Sequence, residues 1–375
     1  MAPLAYFVNA IDPDDMRIPR GRAWLAGAFV LSREKPVRSL TMVVGRRWVL
    51  PLLSVFGLAW PAGAHAGDLV FVQHGIVGPA SRLAAGAAGY WGGEYRTTTG
   101  EKVTVYLSDD YVQNEENVDG NQNVANFLAS AIHGPELEKV TIFRGTTDEI
   151  DAVCGVHALA CYSYTERAIY TPAQPVTGRI SAEGALLHEY GHHVAGARRN
   201  DPWKAIDFGT KRWASNENVC ALWKRHVVFP GDEDEHYELN PGEGFAETYR
   251  VLNERRLGLS ETPWRVVSDR FSPDATDLRA VTQDVLSPWT RPTTTTIGGR
   301  LAVGRERSYT IPTPLDGAFT ASVRAGFRLE VLDRSSRLAR RIGRVQTTVC
   351  GQRSLRVGVT AVRAAGSYRL KLTKP

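Results

Sequence analysis

Residues 185–196 of the sequence, ALLHEYGHHVAG, place three histidines and a glutamate within six positions. Side chains four residues apart lie on one face of an α-helix, so His188 and His192 can offer imidazole nitrogens to one metal ion. His193 follows His188 by five positions and points away from that face. Glu189 adjoins the first histidine, where its carboxylate can take a proton from a metal-bound water. This HExxH spacing predicts two metal ligands and a general base on one helix.

Zinc (Zn2+) is the metal that this set of side chains predicts. Neutral imidazole and carboxylate are its usual ligands in catalytic sites, where one coordination position stays open for water. Bound zinc lowers the pKa of that water to about 7 and makes it a nucleophile at neutral pH. The alternative is a pair of helix histidines that only form hydrogen bonds in the core.

The flanking sequence predicts the elements that hold the motif. Ser181 can cap the start of the helix and Gly196 can end it. Before the helix, residues 161–172 (CYSYTERAIYTP) are typical of a strand or hairpin that stops at Pro172. A strand or hairpin therefore leads into the helix that carries HExxH.

A second helical stretch covers residues 240–256 (NPGEGFAETYRVLNERR), with Asn240 as a candidate N-cap and Pro241 at the first helical position. Glu243 and Glu247 lie four apart on one face of it, so helix geometry alone does not choose a third ligand between them. Glu243 can also reach back to the N-cap amide, as in a capping box. Glu247 can also accept a hydrogen bond from a ligand histidine.

The extended pattern HExxHxxGxxH does not occur in this chain. Ala195 stands where that pattern needs a glycine, and Arg198 stands where it needs a third histidine. No methionine follows Met42, so the Met-turn that lies below the zinc in metzincins is missing as well. The third ligand is therefore expected to be a carboxylate on a later helix.

The motifs LLHEYGHH and YELNPGEGFAETYR together resemble the gluzincin metallopeptidases, most nearly the branch related to lethal-factor-type proteases. The resemblance covers residues 100–290. It implies that Glu243 is the third zinc ligand and that Tyr237 assists the oxyanion. Tyr237 lies six residues before Glu243, where the family pattern has seven, and His236 occupies the seventh position.

The same resemblance implies how a substrate binds. In the family, the strand before the HExxH helix binds an extended substrate in antiparallel fashion, and residues 161–172 stand in its place. The alternative for this segment is an ordinary edge strand. Gly242 and Gly244, beside the expected ligand, would let the later helix approach the HExxH helix closely.

Residues 42–66 are typical of a secretory signal peptide. Two arginines precede an apolar run of about a dozen residues, which ends in a small-residue cleavage site at Ala66. The run is shorter than the roughly 20 residues that span a bilayer. We therefore predict a leader over residues 1–66, a mature chain that starts near Gly67 without a membrane span, and secretion to the extracellular space or the periplasm.

The four cysteines all lie in the predicted exported portion, and their even number indicates disulfides in an oxidising compartment. Cys154 and Cys161 are close enough in sequence to close one loop. For Cys220 and Cys350, a pairing follows only from their being the two that remain, and the sequence leaves it open.

Composition predicts where the domains divide. Residues 67–289 alternate strand-like and helix-like stretches, which is typical of an α+β domain. Prolines and a run of threonines predict a linker over residues 290–299. Beyond it, residues 300–375 contain short strands separated by turn residues, which predicts a small all-β sandwich similar to those appended to many bacterial exported peptidases.

Charge divides along the same line. Residues 300–375 carry 16 lysines and arginines against 4 acidic residues, whereas residues 67–299 carry 21 against 32. The basic segment can bind an anionic surface polymer or dock on its acidic neighbour, or its arginines can lie on strand edges and solvated faces. Basic and aromatic residues do not alternate, so no nucleic-acid partner is predicted.

Together these features predict an α+β, zincin-like metallopeptidase core followed by a small all-β sandwich. The predicted function is a secreted zinc endopeptidase that acts on protein or peptide substrates. His188, His192 and Glu243 would hold the zinc, while Glu189 takes a proton from the zinc-activated water and passes it to the leaving amine. The alternative is an exported surface-binding protein whose zinc site is structural or degenerate.

Overall fold

The computed structural model describes residues 89–174, 181–260 and 267–375, which belong to one compact unit of the chain. They form a mixed α+β part, residues 89–289, followed by antiparallel sheets. The predicted leader and the predicted start near Gly67 lie outside the described residues. None of the described helices is long and apolar enough to cross a membrane.

A five-stranded sheet forms one layer of the α+β part, in the order β1-β2-β3-β5-β4. The three central strands are parallel, and β1 and β4 run antiparallel at the two edges. The hairpin predicted over residues 161–172 is the β4–β5 pair. The strands are β1 (Tyr90–Arg96), β2 (Lys102–Ser108), β3 (Thr141–Gly145), β4 (Cys161–Ser163) and β5 (Ala168–Pro172).

Helices supply the other layer, and their ends follow the predicted caps. The Ser181 hydroxyl accepts a hydrogen bond from the Gly184 amide at 2.9 Å, and the Asn240 side chain accepts one from the Gly242 amide at 3.0 Å. The helices are α1 (Glu115–Ser130), α2 (Thr147–Cys154), α3 (Ala182–Gly196), α4 (Ala205–Phe208), α5 (Lys211–Asn216), α6 (Val219–Trp223), α7 (Pro241–Leu257) and α8 (Ala275–Leu286). A short hairpin, β6 (Arg199–Asn200) and β7 (Trp203–Lys204), follows α3.

Helix α3 lies in the middle of the core. Every residue from Gly184 to Ala195 is buried, because the β4–β5 hairpin packs against the helix on one side and α7 packs against it on another. Leu187 of α3 and Phe245 and Tyr249 of α7 belong to one apolar cluster with the sheet. The helix that carries HExxH is therefore held rigidly by its surroundings.

The C-terminal part is a sandwich of two four-stranded antiparallel sheets around one apolar core, in the orders β13-β10-β15-β8 and β12-β11-β14-β9. Buried and half-buried residues alternate along most of β11, which is typical of a strand with one face in a core. The strands are β8 (Thr293–Leu301), β9 (Glu306–Pro312), β10 (Gly317–Ser322), β11 (Phe327–Asp333), β12 (Ser336–Ile342), β13 (Arg344–Val349), β14 (Ser354–Ala361) and β15 (Gly366–Lys374).

The segment predicted as a linker, residues 290–299, lies mostly in strand β8. Strand β8, which begins with the run of threonines, pairs with β15 along its whole length, Thr293–Leu301. Threonine is β-branched and favours extended backbone, so a threonine run beside a strand of matching length joins the sheet. The linker prediction is wrong for this stretch, and the sandwich begins at Thr293.

The predicted Cys154–Cys161 disulfide is present, and the structure also pairs Cys220 with Cys350, which the sequence left open. Cys154 and Cys161 close a short loop, and Cys220 of α6 is bonded to Cys350, which follows β13. The second disulfide joins the α+β part to the sandwich. Next to it, the Arg353 guanidinium donates to the Ser215 carbonyl and to the Asn218 side chain, so covalent and polar contacts reinforce one junction.

We expect removal of the Cys220–Cys350 disulfide to cost more stability than removal of the Cys154–Cys161 disulfide. The two bridges separate their cysteines by 130 and 7 residues, and the longer loop restricts the unfolded chain more. Replacing both cysteines of each pair with alanine should lower the free energy of unfolding by about 4–5 and about 2–3 kcal/mol respectively. Denaturant titration of the two variants measures this, and equal losses would contradict it.

Candidate metal centre

Helices α3 and α7 approach most closely at Gly191. A Cβ atom added to this glycine would lie 2.8 Å from the Cα of Ala246, which is too close for any side chain. Gly191 lies three residues after His188 and therefore shares its helix face. The missing side chain lets the face that carries the histidines approach the backbone of α7.

Gly242 and Gly244, the two glycines expected to create this close approach, face other parts of the protein. An added Cβ on Gly242 would lie 2.5 Å from the Ile206 carbonyl oxygen, and one on Gly244 would lie 2.6 Å from the Phe271 ring. The prediction that these two glycines bring the helices together is wrong, because they lie on sides of α7 that face α4 and the turn at Phe271.

Replacing Gly191 with alanine should push α3 and α7 apart. We expect a loss of about 1–3 kcal/mol in unfolding free energy, together with weaker metal binding, because the ligands come from both helices. Gly93→Ala is the matched control, since a Cβ there meets no atom within 4 Å. Thermal unfolding and metal titration of both variants test this, and unchanged metal affinity in Gly191→Ala would contradict it.

Three buried side chains meet between the two helices. The His188 Nε2 atom lies 3.1 Å from Oε2 of Glu243 and 3.3 Å from Nε2 of His192. The His192 Nε2 atom lies 3.3 Å from Oε1 of Glu243. The three residues form a group that could hold a metal ion, with each side chain at most 2 % exposed.

The spacing of these atoms fits a small tetrahedral ion. Zinc binds imidazole nitrogen and carboxylate oxygen at about 2.0–2.1 Å, and two ligands of a tetrahedron are then about 3.3 Å apart. The Oε1 atom of Glu243 is also fully buried, and its 3.3 Å contact with Nε2 of His192 does not have the geometry of a hydrogen bond among the described residues. A buried acceptor without a donor is costly, so a cation at this position would satisfy it.

The carboxylates around the group favour a positive charge at this position. Burial alone would lower the pKa of His188, but hydrogen bonds to Glu243 and Glu247 outweigh it and raise the pKa to about 10. Burial would raise the pKa of Glu243, but the charges and hydrogen bonds of the two histidines hold it well below its usual range. A metal ion would take the place of the proton that these carboxylates stabilise on His188.

Glu247 lies behind His188 and not in the group of three. It accepts from Nδ1 of His188 at 2.9 Å, while the Arg250 guanidinium contacts both of its oxygens at 2.7 Å. Burial would raise the pKa of Glu247, but Arg250 and His188 together lower it to about 2. Arg250 also bonds Glu254, so a buried charge network fixes the orientation of the His188 ring.

Sequence reasoning missed Arg250 and Glu254. The sequence feature that could have indicated them is the spacing of opposite charges on the helix, with Glu247 three residues before Arg250 and Glu254 four residues after it. Such spacing is common on solvated helix faces, and only the packing of α3 against α7 shows that these charges are buried.

Tyr237 reaches the group and His236 does not. The Tyr237 hydroxyl donates to Oε2 of Glu243 at 2.7 Å. His236 is turned away, with Nδ1 2.9 Å from Asp232 and its ring stacked on Phe229. Of the two neighbouring residues, Tyr237 is therefore the one that contacts the group.

Glu189 is buried on α3 beside the same group. Burial, followed by the charges of Glu243, Glu189 and Glu233, raises the pKa of Tyr237 well above its usual value. The tyrosine therefore stays protonated and remains a hydrogen-bond donor. Glu189 lies near enough to act on this hydroxyl electrostatically, and it is not one of the three grouped ligands.

His193 points away from the metal group, as the helix geometry predicts. Its Nε2 lies 2.9 Å from the Glu136 carbonyl, and its Nδ1 lies 3.0 Å from the Tyr162 hydroxyl. Because the carbonyl can only accept, Nε2 carries the proton and Nδ1 accepts from Tyr162. Burial lowers the pKa of His193 and keeps it neutral. It ties α3 to strand β4.

No protein-family model matches this chain, and the search of curated proteins finds no match either. The functional conclusion must therefore come from the chemistry of the residues themselves.

Proposed function

We propose that the protein is a zinc-dependent endopeptidase of the gluzincin type, with a zincin-like core in its α+β part. The observation that carries the proposal is the buried group of His188, His192 and Glu243, whose ligand atoms lie 3.1–3.3 Å apart. Glu189 and Tyr237 adjoin it, which adds a candidate base and a candidate hydrogen-bond donor.

A zinc ion held by these three residues would polarise a peptide carbonyl and lower the pKa of water at its open position. Glu189 then takes the proton from the attacking water and delivers it to the leaving amine. The Tyr237 hydroxyl, which donates to Glu243 in the structure, can donate instead to the carbonyl oxygen as that oxygen becomes negative. Glu247 holds the His188 ring in place throughout.

Strand β4 is the proposed binding edge for an extended substrate, which would have to displace whatever covers it, because all three residues of β4 are buried in the structure. It lies at the end of the sheet and is paired only with β5 among the described strands. An extended peptide can add to such an edge through main-chain hydrogen bonds. The Tyr162–His193 hydrogen bond connects this strand to the helix that carries the metal group.

The alternative proposal, a surface-binding protein with a structural zinc site, requires a closed coordination sphere. Structural zinc sites have four protein ligands. Among the described residues the group contains three, which leaves one position for water or substrate. This favours an enzyme. The two disulfides are typical of an oxidising compartment, and we propose that the protein acts outside the cytoplasm.

Metal analysis combined with a broad peptide-library cleavage assay tests the proposal. We expect about one zinc per chain, internal cleavage of peptides, and loss of cleavage on chelation with recovery when zinc is restored. Bound zinc without any cleavage would support the surface-binding alternative. Absence of a bound metal would overturn the peptidase proposal and the structural-site alternative, and would favour a surface-binding protein with a degenerate site.

A further inference from the structure

One edge of the sandwich carries a dense row of arginines. We use the term arginine edge for five exposed residues: Arg337, Arg340 and Arg341 in strand β12, Arg334 in the turn before it, and Arg344, the first residue of β13. Strand β12 is the last strand of its sheet and, among the described strands, is paired with β11 alone. These guanidinium groups therefore face solvent along an open strand.

Few acidic groups neutralise this row. Glu330 of β11 lies 2.6 Å from Nε of Arg337 and 3.9 Å from Nε of Arg340. Within the described part of the chain, the other three members of the arginine edge form no ion pair. The edge thus carries a surplus of positive charge, which costs repulsion unless a negative partner is present.

Among the described residues, the acidic α+β part forms no ion pair with the arginine edge. At the junction, Arg353 pairs with Asp316 of the sandwich itself and contacts uncharged oxygens of Ser215 and Asn218. Across residues 89–174, 181–260 and 267–375, no ion pair joins a sandwich arginine to an acidic residue of the α+β part. The described contacts between the two parts therefore give the arginine edge no acidic partner.

The chemistry of the edge indicates an anionic polymer. Guanidinium groups bind carboxylate and sulfate through two parallel hydrogen bonds, and Arg340 and Arg341, which are consecutive in β12, point to opposite faces of this edge strand, so an extended partner that lies along the edge itself can meet both. Residues 334–344 contain no aromatic side chain on which a nucleobase could stack. We propose that the arginine edge binds an anionic polysaccharide through its carboxylate or sulfate groups.

The test uses the full chain with alginate and heparin as probes, and with single-stranded DNA as a comparison. The variant R337A/R340A/R341A removes the centre of the edge. The control R300A/R305A/R363A removes the same charge from exposed positions outside it, for which no side-chain contact is recorded among the described residues. Cleavage of a short peptide is followed in parallel and should be equal in all three proteins, which separates this proposal from the proposed peptidase function.

We expect the parent protein to bind at least one polysaccharide in a salt-sensitive manner, the edge variant to bind about tenfold more weakly, and the control to stay within about twofold. If both variants bound polysaccharide equally weakly, net charge alone would explain the effect, and the proposal would be overturned. Tighter binding to DNA than to either polysaccharide would overturn the choice of partner. If the edge variant aggregates but binds polysaccharide as before, the arginines only protect an open strand, and the proposal is wrong.

Discussion

Replacing Glu189 with glutamine should abolish peptide hydrolysis while the protein keeps its metal. Glutamine has the same shape as glutamate but cannot take a proton from water, and loss of a general base costs about 10²–10⁴-fold in rate. Metal binding should survive because the group that could hold the ion consists of His188, His192 and Glu243. The measurements are kcat/KM on a fluorogenic peptide and metal content per chain.

Glu183→Gln is the matched control for this experiment. Glu183 lies in the first turn of the same helix and is exposed, so the same chemical change there should leave both activity and metal content intact. Loss of metal together with activity in Glu189→Gln would give Glu189 a structural role. Full activity in that variant would remove the peptidase proposal.

The second large effect is expected at Glu243, where glutamine should cause a sharp fall in metal content. The two carboxylate oxygens of Glu243 lie 3.1 and 3.3 Å from the imidazole nitrogens of His188 and His192. A neutral amide is a weak ligand and does not balance the charge of a divalent ion. Activity should fall with the metal, and added zinc in excess should restore only part of it.

Glu247→Gln is the informative comparison, because it makes the same change one helical turn later. Glu247 orients His188 without joining the group of three, so this variant should keep most of its metal and lose a modest part of its activity, about tenfold. Unfolding free energy must be measured as well, since Arg250 loses a charged partner. If Glu247→Gln loses the metal and Glu243→Gln keeps it, the ligand has been assigned one turn too early.

Local geometry explains what the sequence alone determined. The four-residue spacing of His188 and His192 places them on one face of any α-helix, whatever surrounds it. Ser181 and Asn240 begin their helices because a side-chain oxygen satisfies amides within the next few residues. The short Cys154–Cys161 loop and the β4–β5 hairpin follow from separations of a few residues.

Tertiary packing decided the features that depend on distant residues. Glu243 and Glu247 are equivalent in helix geometry, and only the position of α3 places one beside both histidines and the other behind His188. Gly191 matters because of what lies opposite it, the backbone of Ala246. No periodicity within α3 contains that information.

The distinction between local geometry and tertiary packing also separates the sequence predictions that were wrong from those that were confirmed. A threonine run has the composition of a linker, and it became strand β8 because β15 offers a pairing partner about 70 residues later in the chain. The Cys220–Cys350 pair spans 130 residues, and the Arg250 network is buried only because α3 covers it. Helix spacing and capping act over one or two turns, so sequence determines them directly, whereas the third ligand, the helix contact and the sheet edge depend on the packing of elements far apart in sequence.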